Sequence, residues 1–274
     1  MRQLWLLCLA LLSWPAISAP IVPHLGEDGH SEYEVYSFST AHSAFAIAPG
    51  GAFGWTAEKV SQDDAEAEAT ARCQANTKQK CVLYALDGKV VFDAVTWPRL
   101  WGPYLSSEQA RLAATGRSIG QRFPDLAFAS PEGKSGNVSN LRGRVVILHF
   151  WGSWCGPCRR EMPDMQKLYE KIRGRSDIAL VLLQVREKFD VSQRWARAQG
   201  IKLPLFDSGA TGEMDNRLKL VSGTTVFDRD LAANFPTTYV LDRNGVVVFS
   251  KVGPVAHWPE YLAFLNDAAA RSGK

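Results

Sequence analysis

The sequence lacks the features that mark several large classes of protein. Lys and Arg number 31 against 28 Asp and Glu, which leaves a net charge of only +3, and no basic cluster with interleaved aromatic residues occurs. So balanced a charge argues against a nucleic-acid partner, and we expect an ordinary mixed-charge surface. Cysteine is scarce as well: only one pair of the five is spaced as C-x-x-C, so a zinc site would lack two ligands at metal spacing. We therefore expect no metal and no other cofactor.

The apolar run near the N-terminus is too short to span a bilayer comfortably. It follows the single positive charge of Arg2 and ends in small residues, which is typical of a secretory signal. Pro20 would hinder cleavage just before it, so we expect cleavage after Ser18 and a signal peptide at residues 1–18. An uncleaved membrane anchor is the alternative. Either way the protein is predicted to be exported to the periplasm, where disulfides persist.

The one C-x-x-C pair lies in the stretch Trp154-Cys155-Gly156-Pro157-Cys158. The apolar run 145–151 before it predicts a buried strand, and residues 159–169 after it have apolar positions at helical spacing. The N-terminus of a helix carries a partial positive charge and unpaired N–H groups, and both favour a thiolate. We expect Cys155 to attack disulfides and Cys158, one turn inward, to resolve the mixed disulfide. A structural zinc site and a static disulfide are the alternatives.

Residues 41–93 predict a small α+β domain. Turn signals separate short strand patterns on either side of one alanine-rich helix, with strands at 43–48, 52–56, 81–86 and 89–92 and the helix at 64–73. Ser61 is a good N-cap for this helix. The unit resembles small secreted bacterial domains of unknown function, which share the Gly-x-x-Gly-Trp hairpin, the alanine-rich helix and a cysteine pair. This resemblance implies a fold and no activity.

Cys73 and Cys81 bracket the turn between that helix and the next strand. In an exported protein we expect them to form a structural disulfide, although so short a loop contributes only about 2–3 kcal/mol in the chain-entropy account. A second redox pair that exchanges with the C-x-x-C cysteines is the alternative, but neither cysteine resembles a thiolate at a helix N-terminus.

Two further segments are predicted to connect larger units. Residues 24–34 are polar and irregular, which predicts a linker, and residues 94–119 form a connector with a short helix from about Ser106. The aromatic residues between Trp97 and Tyr104 are expected to pack this connector onto a domain, with a partner-binding patch as the alternative.

From residue 120 to the end the pattern changes to that of an α/β domain. Helices are predicted at 191–199, 214–220 and 259–270, and extended segments at 178–185, 203–207, 235–242 and 246–249. The domain resembles the thioredoxin superfamily, and within it the exported TlpA/ResA-like branch. The residues that carry the resemblance are Phe123-Pro124-Asp125, the stretch 154–158, Glu161-Met162-Pro163 and the stretch 235–245. It implies a thioredoxin-like fold, with a central mixed sheet flanked by helices, after the small disulfide-containing α+β domain.

The same resemblance assigns roles to residues outside the cysteine pair. Pro236 is implied to be a cis-proline that faces the thiols and leaves backbone groups free to pair with an extended substrate. Glu161 falls where this branch carries an acidic residue that could move the proton of Cys158, although a surface glutamate near a helix N-terminus is the alternative. His149 replaces a buried acid and is expected to be a core histidine rather than a catalyst. Phe235 is unusually bulky for the residue before the cis-proline.

These observations predict a thiol–disulfide oxidoreductase of the periplasm. Trp154 and the loop of Pro236 would position disulfide-containing protein substrates, by resemblance apocytochrome c or copper-site proteins. The Gly-Pro pair between the cysteines favours a reductase, which requires a membrane electron donor of the DsbD/CcdA type. We expect a monomer. A thiol peroxidase, and an envelope-binding protein with a regulatory redox domain, are the alternatives.

Overall fold

The computed structural model describes residues 22–273, so the predicted signal peptide lies outside the described part of the chain. The helices are α1 (Glu27–Ser37), α2 (Gln62–Ala75), α3 (Ser107–Leu112), α4 (Gly156–Ile172), α5 (Phe189–Ala198), α6 (Asp228–Leu231) and α7 (Leu262–Arg271). The strands are β1 (Ala44–Ile47), β2 (Phe53–Thr56), β3 (Val82–Leu86), β4 (Lys89–Val90), β5 (Ala127–Ala129), β6 (Ser135–Asn137), β7 (Val145–Trp151), β8 (Ile178–Gln184), β9 (Leu205–Asp207), β10 (Arg217–Lys219), β11 (Thr225–Phe227), β12 (Thr237–Leu241) and β13 (Val247–Val252). None of these helices combines the length and the apolar character that a bilayer crossing requires.

The first unit is a four-stranded antiparallel sheet in the order β2-β1-β3-β4, with α2 packed against it. The side chain of Ser61 caps α2 by accepting a hydrogen bond from the Asp64 N–H at 3.1 Å. The buried face of α2 consists of Ala65, Ala69 and Cys73, which are small enough for the helix to lie close to the strands. Both predicted hairpins and the capped helix are confirmed.

A disulfide bond joins Cys73 at the end of α2 to Cys81 just before β3. Both cysteines are buried in the core of this first unit among small side chains. The predicted fold class of a small disulfide-containing α+β domain is therefore confirmed.

The segment predicted as a linker at residues 24–34 is wrong, because most of it belongs to α1. Tyr33 and Tyr36 share one face of this helix, and the Tyr33 ring lies edge-on to Phe45 at 5.0 Å and to Tyr84 at 5.3 Å. Tyr36 is buried at 1% exposure. The polar composition of the segment predicts a linker, although Tyr33 and Tyr36 pack α1 onto the sheet.

The second domain contains a seven-stranded mixed sheet in the order β13-β12-β7-β8-β9-β5-β6. β7 pairs in parallel with β8 and antiparallel with β12, which also forms a hairpin with β13. Alternate residues of β7 enter two different cores. Ile147 packs with residues of α4 and α7, and Leu148 packs with Phe123 and Leu218 on the opposite face. The predicted mixed sheet flanked by helices is confirmed.

The helix predicted at residues 214–220 is wrong. Residues 217–219 are strand β10, which forms a separate hairpin with β11. Arg217 and Lys219 are exposed while Leu218 is fully buried, so the three residues alternate with the period of a strand. The short length of this pattern made it ambiguous in the sequence.

The connector packs as predicted, because its tryptophans are buried in the core that both units share. Trp97 and Trp101 contact the ring of Phe264 in α7 at 5.7 and 4.9 Å. The same core includes Phe45 of β1 and Ile147 of β7. The two units are therefore joined through one core to which both contribute.

Candidate active site

The cysteine pair lies at the junction between β7 and α4. Cys155 is the N-cap of α4 in extended conformation, and its Sγ accepts a hydrogen bond from the Cys158 N–H at 3.2 Å. Pro157 lies in the first turn, where a missing N–H costs no helical hydrogen bond. Cys155 is disulfide-bonded to Cys158. Cys155 keeps 4% of its surface exposed while Cys158 has none, so only the first sulfur can meet a partner.

A helix N-terminus stabilises negative charge on the side chain that caps it. In the reduced protein the same geometry would leave the Cys155 sulfur as acceptor of the Cys158 N–H, which favours its thiolate. The arrangement therefore supports a nucleophilic thiolate at Cys155 and a shielded thiol at Cys158.

The Phe235–Pro236 peptide bond is cis, and Pro236 immediately precedes β12. The pairing of Thr237 with Phe150 places this bond beside the end of β7, next to the cysteine loop. The carbonyl of Pro236 accepts a hydrogen bond from Gly253 N–H at 2.8 Å. Within residues 22–273 neither the N–H nor the C=O of Phe235 has a hydrogen-bond partner, so both remain available to an extended segment.

Trp154 forms the exposed edge of the site. Its side chain is 46% exposed, and its Nε1 donates a hydrogen bond to the Val185 carbonyl at 3.1 Å. The ring lies edge-on to Phe235 at 5.3 Å. The cysteine loop and the cis-proline loop therefore meet through two aromatic side chains.

Glu161 lies one turn beyond Cys158 on α4 and is buried at 6% exposure. Its Oε2 accepts a hydrogen bond from Val255 N–H at 3.0 Å, and its Oε1 lies 3.2 Å from Nε2 of His149. Burial raises the pKa of Glu161 to about 8. The alternative of a surface glutamate is wrong because the Val255 loop and Trp258 cover this face of α4.

His149 on β7 is fully buried between Glu161 and Thr238 of β12. Its Nδ1 lies 2.9 Å from the Thr238 hydroxyl oxygen, and burial lowers its pKa to about 3. The imidazole is therefore neutral, and Glu161 determines its tautomer. A protonated Glu161 donates to Nε2, whereas an ionised Glu161 accepts from an Nε2–H.

Sequence reasoning missed the contacts that Thr238, Val255, Arg186 and Asp228 make around the site. Arg186 follows β8 with a φ of +62° and forms a bidentate ion pair with Asp228, which is fully buried. No local pattern marks these residues because each contact joins segments that are distant in sequence. The apolar run at 178–185 predicted the strand β8 but gave no role to Arg186, which follows it.

The arrangement supports dithiol–disulfide exchange. Within residues 22–273 no group of three or more His, Cys, Asp or Glu residues could hold a metal ion. Cys73 and Cys81 lie in the core of the first unit, while Cys155 and Cys158 lie in the shared core, so the two disulfides occupy different environments.

Comparison with known proteins gives a consistent result for the second domain. Residues 119–250 match the AhpC/TSA family. The chain is 29% identical over 135 residues to the thiol-disulfide oxidoreductase ResA of Bacillus thuringiensis (strain Al Hakam), covering 49% of this chain and 70% of that protein. It is 28% identical over 135 residues to the thioredoxin-like protein YneN of Bacillus subtilis (strain 168), covering 49% and 71%.

Among solved structures, a secreted thiol-disulfide isomerase from Corynebacterium glutamicum matches at 23% identity with a TM-score of 0.43. The match covers 55% of this chain and 86% of that protein. The family match begins at residue 119, so the first unit lies outside it.

Proposed function

We propose that this chain, a ResA-like thiol–disulfide oxidoreductase, acts in the periplasm as a reductase of partner-protein disulfides through Cys155 and Cys158. One observation carries the proposal. The cysteine that caps α4 retains 4% of its surface in contact with solvent, and the second cysteine, one turn further along the helix, is fully buried.

The reaction proceeds by two thiolate attacks. The Cys155 thiolate attacks one sulfur of a partner disulfide, which forms a mixed disulfide and releases the other partner sulfur as a thiolate. The Cys158 thiolate then attacks the Cys155 sulfur, which forms the Cys155–Cys158 disulfide and releases the second partner thiolate. Two electrons pass to the partner, and each released thiolate takes up a proton. A membrane electron donor of the DsbD/CcdA type would restore the dithiol.

The substrate would lie as an extended segment across the Phe235–Pro236 bond. The unpaired N–H and C=O of Phe235 are a donor and an acceptor spaced as in a strand edge. Trp154 would hold the other side of the segment, because its ring is fixed by the Val185 carbonyl. Both contacts would bring a partner disulfide close to Cys155.

Glu161 would take the proton from Cys158 before the second attack. It lies three residues after Cys158 and therefore on the same side of α4. Burial raises its pKa to about 8, which is close to the working pH and suits a group that both accepts and returns a proton. His149 can follow the change by exchanging its tautomer while it stays neutral.

The direction of electron flow follows from the residues between the cysteines. A Gly-Pro pair is that of reducing thioredoxins, whose potential is about −270 mV, so this chain would donate electrons to partners. By resemblance the partners would be apocytochrome c or copper-site proteins. The predicted export at residues 1–18 would bring the chain to the compartment where such partners carry disulfides.

Reduction of insulin disulfides by the dithiol form tests the proposal. Cys155→Ser should lower the rate to that of the uncatalysed reaction, since Cys158 is buried and cannot reach the substrate. Cys158→Ser should instead accumulate a mixed disulfide at Cys155 that mass spectrometry detects. A Cys155→Ser variant that still reduced insulin would contradict the proposal, and rapid peroxide consumption by the unaltered dithiol would favour the thiol peroxidase.

A further inference from the structure

The ring of Phe235, directly before the cis-proline, is surrounded by cationic side chains. The Cζ atoms of Arg186 and Arg229 lie 5.3 and 5.2 Å from its centroid, and Trp154 meets it edge-on. Guanidinium groups at this distance are attracted by the ring face. The surface on which a substrate segment would lie therefore includes an aromatic ring in contact with two arginines.

The two arginines differ in how their charge is compensated. Arg186 forms its bidentate ion pair with the buried carboxylate of Asp228, so it anchors the ring without adding net charge. Arg229 is exposed, and its guanidinium donates to the Ala233 carbonyl and to the Asn234 amide oxygen. Within residues 22–273 no carboxylate lies within 4.0 Å of Arg229, so its positive charge remains.

Two more arginines follow the cysteines directly, near the start of α4. Arg159 and Arg160 are exposed, and a guanidinium nitrogen of Arg160 lies 3.7 Å from the position that a Cβ would take at Gly156. In the described part of the chain neither forms an ion pair. The helix dipole does not favour cations at this end of α4. Their presence here therefore has no explanation in the stability of the helix.

The carboxylates near the cysteine loop are already engaged within the protein. Glu187 accepts hydrogen bonds from the Ser153 N–H and from the hydroxyls of Ser153 and Ser192, each at 2.6 Å. Asp228 is paired with Arg186, and Glu161 is buried. Glu213 is an exception, because it is exposed and lies close enough to Arg186 to contribute to that residue's raised pKa. By contrast, Arg159, Arg160 and Arg229 form no ion pair within residues 22–273.

We propose that the arginine rim, defined as Arg159, Arg160 and Arg229, selects partner segments that carry Asp or Glu beside the cysteine to be reduced. This inference rests on the proposed reductase function and specifies its substrate class. An acidic segment laid across Phe235 and Pro236 would pair with Arg229 on one side of the partner sulfur and with Arg160 on the other. A basic segment would be repelled from both sides.

Reduction of matched peptides tests the rim. Three synthetic peptides share one intramolecular disulfide and differ only in the residues beside the cysteines, which are Glu, Gln or Lys. The second-order rate with the dithiol form of the whole protein is followed by tryptophan fluorescence. We expect the Glu peptide to react about tenfold faster than the Lys peptide at low salt, within the range of electrostatic steering. The difference should shrink strongly in about 0.5 M NaCl, because salt screens exposed charges.

Variants identify the residues responsible. Arg229→Gln and Arg160→Gln should each lower the Glu-to-Lys rate ratio by about two- to fourfold, the effect of one exposed ion pair. Arg173→Gln is the matched control, because Arg173 is an exposed arginine at the opposite end of α4 and should leave the ratio unchanged.

The outcomes separate the inference from the function on which it rests. If all three peptides were reduced at the same rate, or the Lys peptide faster, the arginine rim would not select acidic segments. The proposed reductase function would still stand. A ratio that Arg173→Gln lowered as much as Arg229→Gln would also overturn the role of the rim, since the effect would then follow net charge alone. Failure to reduce any of the peptides would contradict the reductase itself.

Discussion

Two buried titratable side chains shape the site at the level of single residues. Oε1 of Glu161 lies 3.2 Å from Nε2 of His149, and within residues 22–273 neither of these two atoms forms any other hydrogen bond. Burial penalises the charged form of each, so the pKa of Glu161 is raised and that of His149 is lowered. Both shifts favour the uncharged forms, and because the pKa of Glu161 is raised to about 8, its protonated and ionised forms are both accessible near neutral pH, one helical turn from Cys158.

This pair predicts a specific dependence of stability on pH. The stabilisation from Glu161 is present below its ordinary pKa of 4.5 and is lost as the pH rises to about 8. That from His149 is present above its ordinary pKa of 6.5 and is lost as the pH falls to about 3. Between pH 4.5 and 6.5 the contribution of Glu161 to the free energy of unfolding falls with rising pH while that of His149 rises, so the two oppose each other. Between pH 6.5 and 8 only the contribution of Glu161 changes, and the protein loses stability as the pH rises.

Glu161→Gln should remove that loss in the oxidised protein. We expect the free energy of unfolding of the unaltered protein to fall by roughly 1–2 kcal/mol more than that of the variant between pH 6.5 and 8. Urea unfolding at each pH measures this difference. Glu170→Gln, which alters an exposed carboxylate on the same helix, is the control and should behave like the unaltered protein. Parallel curves for the unaltered protein and Glu161→Gln would contradict the raised pKa.

The roles of single residues could be predicted from the sequence where the residues that form the site are neighbours in the chain. Cys155, Cys158 and the turn between them belong to one stretch of five residues, so their geometry follows from the helix that begins there. The contact of Glu161 with His149 could not be predicted in the same way, because it depends on how closely α4 approaches β7. His149 is a buried core histidine, as expected, but its contact with the acid on α4 left no signal in the sequence.

At the level of elements, the first unit depends on a close approach between β2 and α2. A Cβ at Gly54 would lie 2.3 Å from the Cys73 backbone nitrogen and 2.7 Å from the Ala69 carbonyl oxygen. Both contacts are to backbone, which cannot move aside without displacing the helix. Glycine at this position and alanines on α2 together allow the helix to lie directly on the sheet.

Gly54→Ala should therefore destabilise the protein by about 1–3 kcal/mol or more, the usual cost of overpacking. Thermal unfolding and retention of the Cys73–Cys81 disulfide measure the effect. Gly174→Ala is the matched control, since nothing lies within 4 Å of the added Cβ and the change should be close to neutral. A Gly54→Ala variant as stable as the control would show that α2 and β2 are farther apart than described.

Elements were predictable from the sequence in proportion to their length and periodicity. The long apolar strands β7 and β8 and the alanine-rich α2 were found, whereas the three-residue β10 was mistaken for a helix. The helix α1 was missed because the residues that pack it onto the sheet, Tyr33 and Tyr36 together with Glu32, which accepts a hydrogen bond from Trp55 Nε1, stand in an otherwise polar segment. Its stability comes from these tertiary contacts, which no local pattern records.

At the scale of the whole molecule, the first unit and the thioredoxin-like domain share one core. The Tyr261 hydroxyl accepts a hydrogen bond from Gly50 N–H at 3.0 Å, and its ring packs against Trp101 and Phe249. The N–H of His24 donates to the Glu260 carboxylate at 2.9 Å. The sequence predicted two domains and a connector that packs onto a domain, but the contacts of Gly50 with Tyr261 and of His24 with Glu260 join residues more than 200 positions apart and left no local signal.

The central claim is that Cys155 is the reactive thiolate and Cys158 its shielded partner, and alkylation of the reduced whole protein tests it most directly. Iodoacetamide labelling at graded pH, read by mass spectrometry, gives the rate and the apparent pKa at each cysteine. The account predicts that Cys155 is labelled first, with a midpoint well below the ordinary thiol value of about 8.5. Labelling of both cysteines at the same rate, or a Cys155 midpoint at or above about 8.5, would contradict the account.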